Sequence, residues 1–376
     1  MRVVIDYRPA LRERSGVGEY THQLVKALLA RRDPSLELTI FSSSWKDRLT
    51  LSSELDGVKA VDLRLPVSVL NLAWHRFGWP PAELLAGAAF DVTHSLHPLL
   101  LPARDAARVI TIHDLNFLAH PERTRAEIRR DYPVLTRAHA HRADAVIVPS
   151  CFTAAEVERQ LGVSADRIAV CPPGAPDWTP RRAFPDAGYV LFVGTLEPRK
   201  NVGTLLDAYE RLLARRAMPE LVLAGQTTAE SRPWLDRIER APLAGHVRHI
   251  GYVDPSARRA LYEGARVLAQ PSFEEGFGLP VLEAMTIGAP VVAADRGALP
   301  EVLGGAGLLV DPLQADAMAS ALERMLDDTA FAASCAARGA QRSREFQWSD
   351  TAARVYRVYQ LAIDRRAGRM SGAHRD

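Results

Sequence analysis

A chain of 376 residues is long enough for two domains of ordinary size, each with its own core. Its 47% hydrophobic and 24% charged residues are those of a globular protein, and a formal net charge of +2 excludes a nucleic-acid binder driven by bulk charge. Cys151, Cys171 and Cys335 are too widely spaced for a disulfide framework or a metal cluster and read as buried, reduced thiols. No stretch approaches the ~20 apolar residues of a membrane span. The strand pattern Arg2–Asp6 starts at once and leaves no room for a signal peptide, so a soluble, cytoplasmic protein is expected.

Short apolar runs alternate with helical stretches along the chain, which predicts parallel βαβ units and an α/β fold. In the first half, strands are expected near Val3–Ile5, Leu38–Phe41, Val58–Val61, Val92–His94, Val109–Ile112, Ala145–Val148 and Ile168–Cys171. Helices are expected over Gly18–Ala30 and Thr124–Arg142. Ser15-Gly-Val-Gly-Glu-Tyr20 follows the first strand and opens a helix. Gly16 and Gly18 there suit either a phosphate held at the helix end or an ordinary strand-to-helix turn. Trp74-His-Arg-Phe-Gly-Trp79 is expected in a loop, with a basic cluster of Arg123, Arg125, Arg129 and Arg130 on a following helix. Aromatics beside cations suit a membrane interface, although a packed core edge with a solvated helix is the simpler explanation. His113-Asp114 is expected at the end of a central strand, where the histidine either serves a substrate as donor or base or merely caps the surface. His94 and His97 are less distinctive, and His139 and His141 are expected on a solvated basic helix face with Arg137 and Arg142.

Asp177–Gly188 is rich in Pro and loop formers and reads as a linker. A second strand series follows at Tyr189–Val193, Leu221–Ala224, Val247–Ile250, Val267–Ala269, Val291–Ala294 and Leu308–Val310. Two doubly wound sheets joined in this way bind ligands at the carboxyl ends of their strands. Gly194-Thr-Leu-Glu-Pro-Arg-Lys-Asn201 sits at such an end. Arg199 and Lys200 would open a helix there, where the helix dipole disfavours cations. A bound diphosphate would remove the conflict; the alternative is a solvated pair without a role. Ser272-Phe-Glu-Glu-Gly-Phe-Gly-Leu-Pro-Val-Leu-Glu-Ala-Met285 carries two carboxylates, Glu275 and Glu283, separated by a glycine-rich turn. Gly276 and Gly278 let the backbone approach a ligand, Pro280 suits the first helical position, and Gly288 ends the helix. Carboxylates accept from sugar hydroxyls while helix-end amides hold an anion, so the stretch suits a ligand with both. No two aspartates are separated by a single residue, so no Asp-x-Asp pair is present to chelate a cation beside a diphosphate. The tail after Ala367 is polar and expected to be disordered.

Together these residues resemble the retaining glycosyltransferases of family 4, and among them bacterial mannosyltransferase-like members. Glu275-Gly-Phe-Gly-Leu-Pro-Val-Leu-Glu283 matches the family's E-x7-E signature, Gly194–Asn201 its diphosphate-binding strand end, Val109–Leu115 its Thr-x-His-Asp-Leu segment, and Phe346-Gln-Trp348 its crossing segment. The resemblance implies a GT-B fold, two Rossmann-like domains facing a central cleft. An acceptor domain would span 1–176, a donor domain 188–348, and a C-terminal helix over about 350–366 would return to the first domain. It implies that Glu283 binds the ribose hydroxyls, that Glu275 faces the donor sugar with the amides of Gly276, Phe277, Gly278 and Leu279 on its hydroxyls, and that Arg199 and Lys200 hold the diphosphate beside Gly194. Gly16 and Gly18 would close on the same phosphates, His113 would line the acceptor side, and Gly251, Tyr252 and Val253, with Pro173 and Gly174, would flank the base.

The implied reaction moves a hexose, mannose as the first choice, from a nucleotide diphosphate sugar to an acceptor hydroxyl with retention and without a metal. No cofactor is expected, since the nucleotide sugar is a co-substrate. The acceptor would be a glycan or a lipid-linked species in polysaccharide, lipopolysaccharide or glycolipid synthesis, with peripheral contact at the inner face of the membrane and no nucleic acid partner. A sugar-nucleotide epimerase or hydrolase on the same fold, or a non-catalytic nucleotide-sugar binding protein, are the competing readings.

Overall fold

The computed structural model describes residues 1–11, 14, 16–119, 126–185 and 187–372, and its contacts divide the chain into two units, Met1–Gly174 with Gln347–Asp376, and Ala175–Phe346. In the first unit every expected apolar run is a strand: β1 (Arg2–Asp6), β2 (Glu37–Ser43), β3 (Lys59–Leu63), β4 (Val92–Ser95), β5 (Ala107–Thr111), β6 (Ala145–Val148) and β7 (Ile168–Val170). They form one parallel sheet in the order β3-β2-β1-β4-β5-β6-β7. The order reverses between β1 and β4, the mark of a doubly wound sheet, and such sheets bind ligands beyond the carboxyl ends of their strands.

The helices of this unit are α1 (Val17–Ala30), α2 (Val67–Phe77), α3 (Ala82–Ala86), α4 (Asn116–Ala119), α5 (Ala126–Arg142) and α6 (Cys151–Leu161). Trp74 is therefore not in a loop. It lies in α2, is buried with Leu70 four residues before it, and donates from Nε1 to Pro80 O at 2.9 Å. Arg123 and Arg125, and the start of the expected helix at Thr124, lie outside the described residues, as do the side chains of Arg129 and Arg130. His139 is not on a solvated face either. It is buried, and its Nδ1 accepts from Leu100 N at 2.8 Å. Burial, then the nearby Arg142 charge, pushes the imidazole down to about 4. Cys151, at the start of α6, is exposed rather than buried.

The second unit holds β8 (Tyr189–Val193), β9 (Leu221–Ala224), β10 (Val247–Gly251), β11 (Ala265–Gln270), β12 (Val291–Ala294) and β13 (Leu308–Val310). These are also parallel, in the order β10-β9-β8-β11-β12-β13. Its helices are α7 (Val202–Leu213), α8 (Arg232–Ile238), α9 (Pro255–Glu263), α10 (Leu279–Ile287), α11 (Leu299–Leu303), α12 (Ala315–Asp327) and α13 (Thr329–Ser343). The Pro-rich stretch before β8 is tied to this unit. Arg181 N donates to Ile287 O at 2.9 Å, and its guanidinium donates to Glu263 O at 3.1 Å. Apart from Glu283 and Thr286, α10 is apolar, and every residue from Val281 to Ile287 is buried, so it is a core helix with α9, α11 and α13 around it.

The final helix, α14 (Trp348–Gly372), belongs to the first unit and packs along α1 and over β4, β5 and β6. It continues through the segment after Ala367 that composition marks as disordered; residues 373–376 lie outside the described ones. Tyr359 of α14 meets His94 Nδ1 at 2.8 Å, and His94 Nε2 meets Thr111 Oγ1 at 2.8 Å. Burial holds His94 at about 3, so this histidine is a neutral tie between helix and sheet. Among the described residues no helix is long and apolar enough to cross a membrane.

Candidate functional site

Three strand ends of the second sheet carry the marked residues: Gly194 after β8, Gly251–Val253 at the end of β10, and the Ser272–Leu279 stretch after β11. Two loops are fastened to each other by backbone. Phe273 N donates to Arg199 O at 2.8 Å, and the side-chain Nδ2 of Asn201 donates to the backbone oxygens Pro271 O at 3.1 Å and Pro312 O at 2.8 Å. Asn201 takes a left-handed conformation, φ 54°, and ends the short turn that carries Arg199 and Lys200. This turn therefore sits directly against the loop that carries Glu275.

Lys200 and Glu275 are both buried and paired at 2.6 Å, Nζ to Oε1. The same Oε1 accepts from Gln270 Nε2 at 2.9 Å and from Ser272 Oγ at 2.8 Å. Oε2 has Arg199 at 3.7 Å, and Arg199 also pairs with Glu197 at 2.5 Å. Burial by itself would raise the Glu275 carboxyl, but the charges of Lys200 and Arg199 outweigh it and hold it below the usual value. Burial and the adjacent Arg199 charge push the Lys200 ammonium down, against the opposing pull of Glu275. The charge conflict that the sequence showed at this helix start is thus already answered inside the chain, by Glu275 and Glu197, and by itself does not demand a bound anion.

What remains open lies one turn further on. Gly278 caps α10 at φ 109°, with no side chain capping the helix. Among the described residues the amides of Phe277, Gly278 and Leu279 have no hydrogen-bond acceptor. Pro280 is the second residue of α10, not the first, so the free amide of Leu279 opens the helix. Behind them, a Cβ on Gly297 would stand 2.7 Å from Glu275 O, and Ala298 N donates to that oxygen at 2.9 Å. Gly297 lets the loop after β12 clasp the Glu275 backbone from behind. Glu283, one helical turn deeper, is separate from the lysine cluster and pairs with Arg258 at 2.9 Å. Tyr262 faces it too; burial and then the Glu283 charge raise that phenol far above its ordinary value.

The first unit gathers a second group. His113 lies two residues past the end of β5 rather than at its tip. Its ring stacks edge-on with Tyr20 of α1 at 4.8 Å, and Nε2 donates to Leu96 O at 3.2 Å. Burial pushes the imidazole down to about 4, although Asp114 opposes the shift. His113 is therefore neutral at pH 7, with Nδ1 left to accept a bond. Gly16 caps α1 at φ 50°, and among the described residues nothing would stand within 4 Å of a Cβ there, whereas a Cβ on Gly18 would meet Pro9 O at 2.7 Å. Gly18 thus serves the packing of α1 on the turn after β1. Gly174 is packed against Trp348 N, where a Cβ would stand 2.3 Å away. Gln270, Glu197, Arg258 and Gly297 escaped the sequence reading. Only Gln270 left a trace, as a polar residue closing an apolar strand.

A family model described as Glycosyl transferases group 1 matches residues 179–342, and one described as Glycosyltransferase Family 4 matches residues 14–177. The chain is 30% identical to O-antigen chain mannosyltransferase B of Escherichia coli, over 96% of this chain and 100% of that protein. It is 30% identical to a phosphatidyl-myo-inositol mannosyltransferase of Mycolicibacterium smegmatis, over 92% of this chain and 90% of that protein. Among solved structures, sucrose-phosphate synthase from Thermosynechococcus elongatus superposes with a TM-score of 0.76 at 23% identity, covering 96% of this chain and 98% of that one.

Proposed function

We propose that this chain, which belongs to the group 1 glycosyl transferases and is a glycosyltransferase of glycan synthesis, moves mannose from a nucleoside diphosphate sugar to an acceptor hydroxyl, with retention at the anomeric carbon and without a metal ion. The observation that carries the reading is the pairing of Lys200 and Glu275 beside the uncapped end of α10. Glu275 takes one of the three ammonium hydrogens of Lys200, so the cation is fixed in place and keeps donors for a phosphate. The amides of Phe277, Gly278 and Leu279, at the positive end of the helix dipole, suit the donor's oxygens. As the bond from sugar to diphosphate breaks, the sugar becomes cation-like and the phosphate gains charge. Fixed cations and amides lower that barrier because they need not reorganise. Glu283, oriented by Arg258, would accept from ribose hydroxyls, and Nδ1 of His113 would accept from a hydroxyl on the acceptor side. Mannose rests on the names of the relatives, O-antigen and phosphatidyl-inositol mannosyltransferases.

Thermal unfolding in the presence of UDP, GDP, ADP and dTDP tests the donor. A ligand at a hundred times its dissociation constant adds ~2.7 kcal/mol of stability. GDP should give the largest shift, and none from any of the four would overturn the donor reading. Nucleotide release from GDP-mannose should require an acceptor. Release at the same rate without one would favour an epimerase or hydrolase instead.

The acceptor is proposed to be lipid-linked, with peripheral contact at a membrane. Support comes from the first unit, where Trp45, Leu72, Phe77 and Trp79 are 71%, 65%, 76% and 61% exposed, along with Lys46, Arg64 and Arg76. Trp45 follows β2 and the others lie on or beside α2. Large apolar residues beside cations match an anionic lipid surface. Sedimentation with anionic vesicles at low salt should retain the protein and lose it for Phe77→Ser with Trp79→Ser. Equal sedimentation of both proteins removes the idea.

A further inference from the structure

Gln270 closes β11 and is fully buried, an unusual place for an amide unless its bonds are satisfied. Its Nε2 donates to Ser272 Oγ at 3.0 Å and to Glu275 Oε1 at 2.9 Å, and Ser272 Oγ in turn donates to the same Oε1 at 2.8 Å. The amide orientation follows from those partners, since both need a donor from Gln270 or can accept one. With Lys200 at 2.6 Å, three donors from β11, its loop and the turn after β8 converge on one carboxylate oxygen. The other oxygen is left toward Arg199 at 3.7 Å. Gln270 Oε1 has no partner among the described residues, so the side chain gains its hydrogen bonds only through the Ser272–Glu275 pair. A Leu of similar volume would fill the strand end without that unpaired oxygen, so packing alone does not account for an amide here.

We infer that Gln270 is a positioning residue: it pins Oε1 of Glu275, and through it Lys200, so that Oε2 is the carboxylate atom presented to the donor. The inference rests on the donor-site reading of Glu275 and Lys200 and adds the residue that orients them. Gln270 itself touches no substrate. Loss of the amide leaves Oε1 of Glu275 held by Lys200 and Ser272 alone, without the donor from β11 that fixes its direction, and a misplaced charge in a preorganised site lowers rate more than binding.

Two measurements test it, one of them independent of activity. In denaturant unfolding, Gln270→Leu should shift the midpoint, and in a Glu275→Gln background that shift should fall to roughly half or less, because the partner carboxylate is gone. An undiminished shift means that Gln270 acts by packing and overturns the inference. In nucleotide release from GDP-mannose, Gln270→Leu should lower kcat by about 10- to 100-fold with donor KM nearly unchanged. Ser272→Ala should lower kcat in the same sense by less, which covers the case in which Glu275→Gln fails to fold. Normal kcat in Gln270→Leu also overturns it. If the wild-type protein releases no nucleotide from GDP-mannose, the donor reading fails by itself, and the unfolding cycle still decides whether Gln270 holds Glu275.

Discussion

Each unit places a buried ion pair at its strand ends, Asp6 with Arg8 at the end of β1 and Lys200 with Glu275 after β8 and β11, and the two pairs are finished differently. β1 and β8 hold the same place in their sheets, third from the edge with the order reversing beside them. At the end of β1, Asp6 is fully buried and takes two bonds from Arg8, Nε to Oδ1 at 2.8 Å and NH2 to Oδ2 at 2.6 Å. Arg8 gives a third bond to Asn71 Oδ1 at 2.9 Å and lies 4.7 Å over the Trp74 ring. His97 Nε2 meets Asp6 Oδ2 at 3.1 Å, while its Nδ1 accepts from Leu99 N at 3.2 Å. Both carboxylate oxygens and both imidazole nitrogens are thus in use. Beyond β8 and β11, one oxygen of Glu275 takes three donors, the other has Arg199 at 3.7 Å, and among the described residues the amides of Phe277, Gly278 and Leu279 in the same loop have no acceptor. A buried pair with every bond used is structure; one with bonding capacity left over, beside an uncapped helix, is a place for a ligand.

The largest expected effect separates the two. Arg8→Met leaves Asp6 buried without its main partner, and breaking such a pair costs ~3–5 kcal/mol. Denaturant unfolding should show that loss, while calorimetry should find nucleotide affinity unchanged in the folded variant. A large loss of nucleotide affinity would move the donor site to the first unit and break the comparison. Lys200→Ala should behave in the opposite sense. Turnover should fall by ~10²–10³, the loss seen when one preorganised donor is removed from a developing oxyanion. Near-normal turnover would end the role assigned to Lys200.

Acid should distinguish the units as well. His94, His113 and His139 all lie in the first unit and are held down to about 3, 4 and 4 by burial. An unfolded histidine takes its proton near 6.5, so between pH 6.5 and about 4 the unfolded chain binds more protons than the folded one, and stability falls with falling pH. Each histidine contributes at most about 2 kcal/mol of this loss at pH 5. Asp6 works in the same direction at lower pH: burial raises its carboxyl, Arg8 and His97 outweigh that, and the stability it adds is lost progressively as pH falls from the ordinary carboxylate range to well below it. Hydrogen exchange at pH 7 and pH 5 should therefore show protection failing first in β4, β5 and α14. Equal failure in the second unit would contradict the assignment of these histidines as buried and neutral.

The sequence made the sheets legible because each parallel strand is buried on both faces and appears as a short apolar run. It made the donor loop legible because glycine, proline and carboxylate spacing along one segment is a local property. Partners through space were not local. Glu275 neutralises Lys200 from a second loop that only the sheet order brings beside it, and Arg258 reaches Glu283 from the preceding helix. His139 looked solvated because its neighbours in sequence are basic, while its actual partner, the Leu100 amide, is 39 residues away. Trp74 was misplaced for a different reason. Leu70 and Trp74 at helical spacing carried the signal for α2, but the aromatic cluster that runs on to Trp79 obscured it.

The smallest effect sharpens the comparison within α1. Gly16 and Gly18 read alike in sequence, as positions where a backbone could approach a phosphate. Gly18 meets Pro9 O as soon as a Cβ is added, so Gly18→Ala must displace the backbone of the turn after β1 and should destabilise the first unit. Among the described residues nothing stands within 4 Å of a Cβ on Gly16, and the penalty of Gly16→Ala there is its backbone at φ 50°, ψ −108°, which costs on the order of 1–3 kcal/mol for a residue with a Cβ. If Gly16 approaches the donor phosphates, its substitution should weaken GDP binding beyond what the stability loss explains. If α1 only turns there, GDP affinity should be untouched while the unfolding midpoint drops by the backbone cost alone. Calorimetry on the folded Gly16→Ala protein at pH 7 separates these outcomes, because among the described residues nothing stands within 4 Å of the added Cβ.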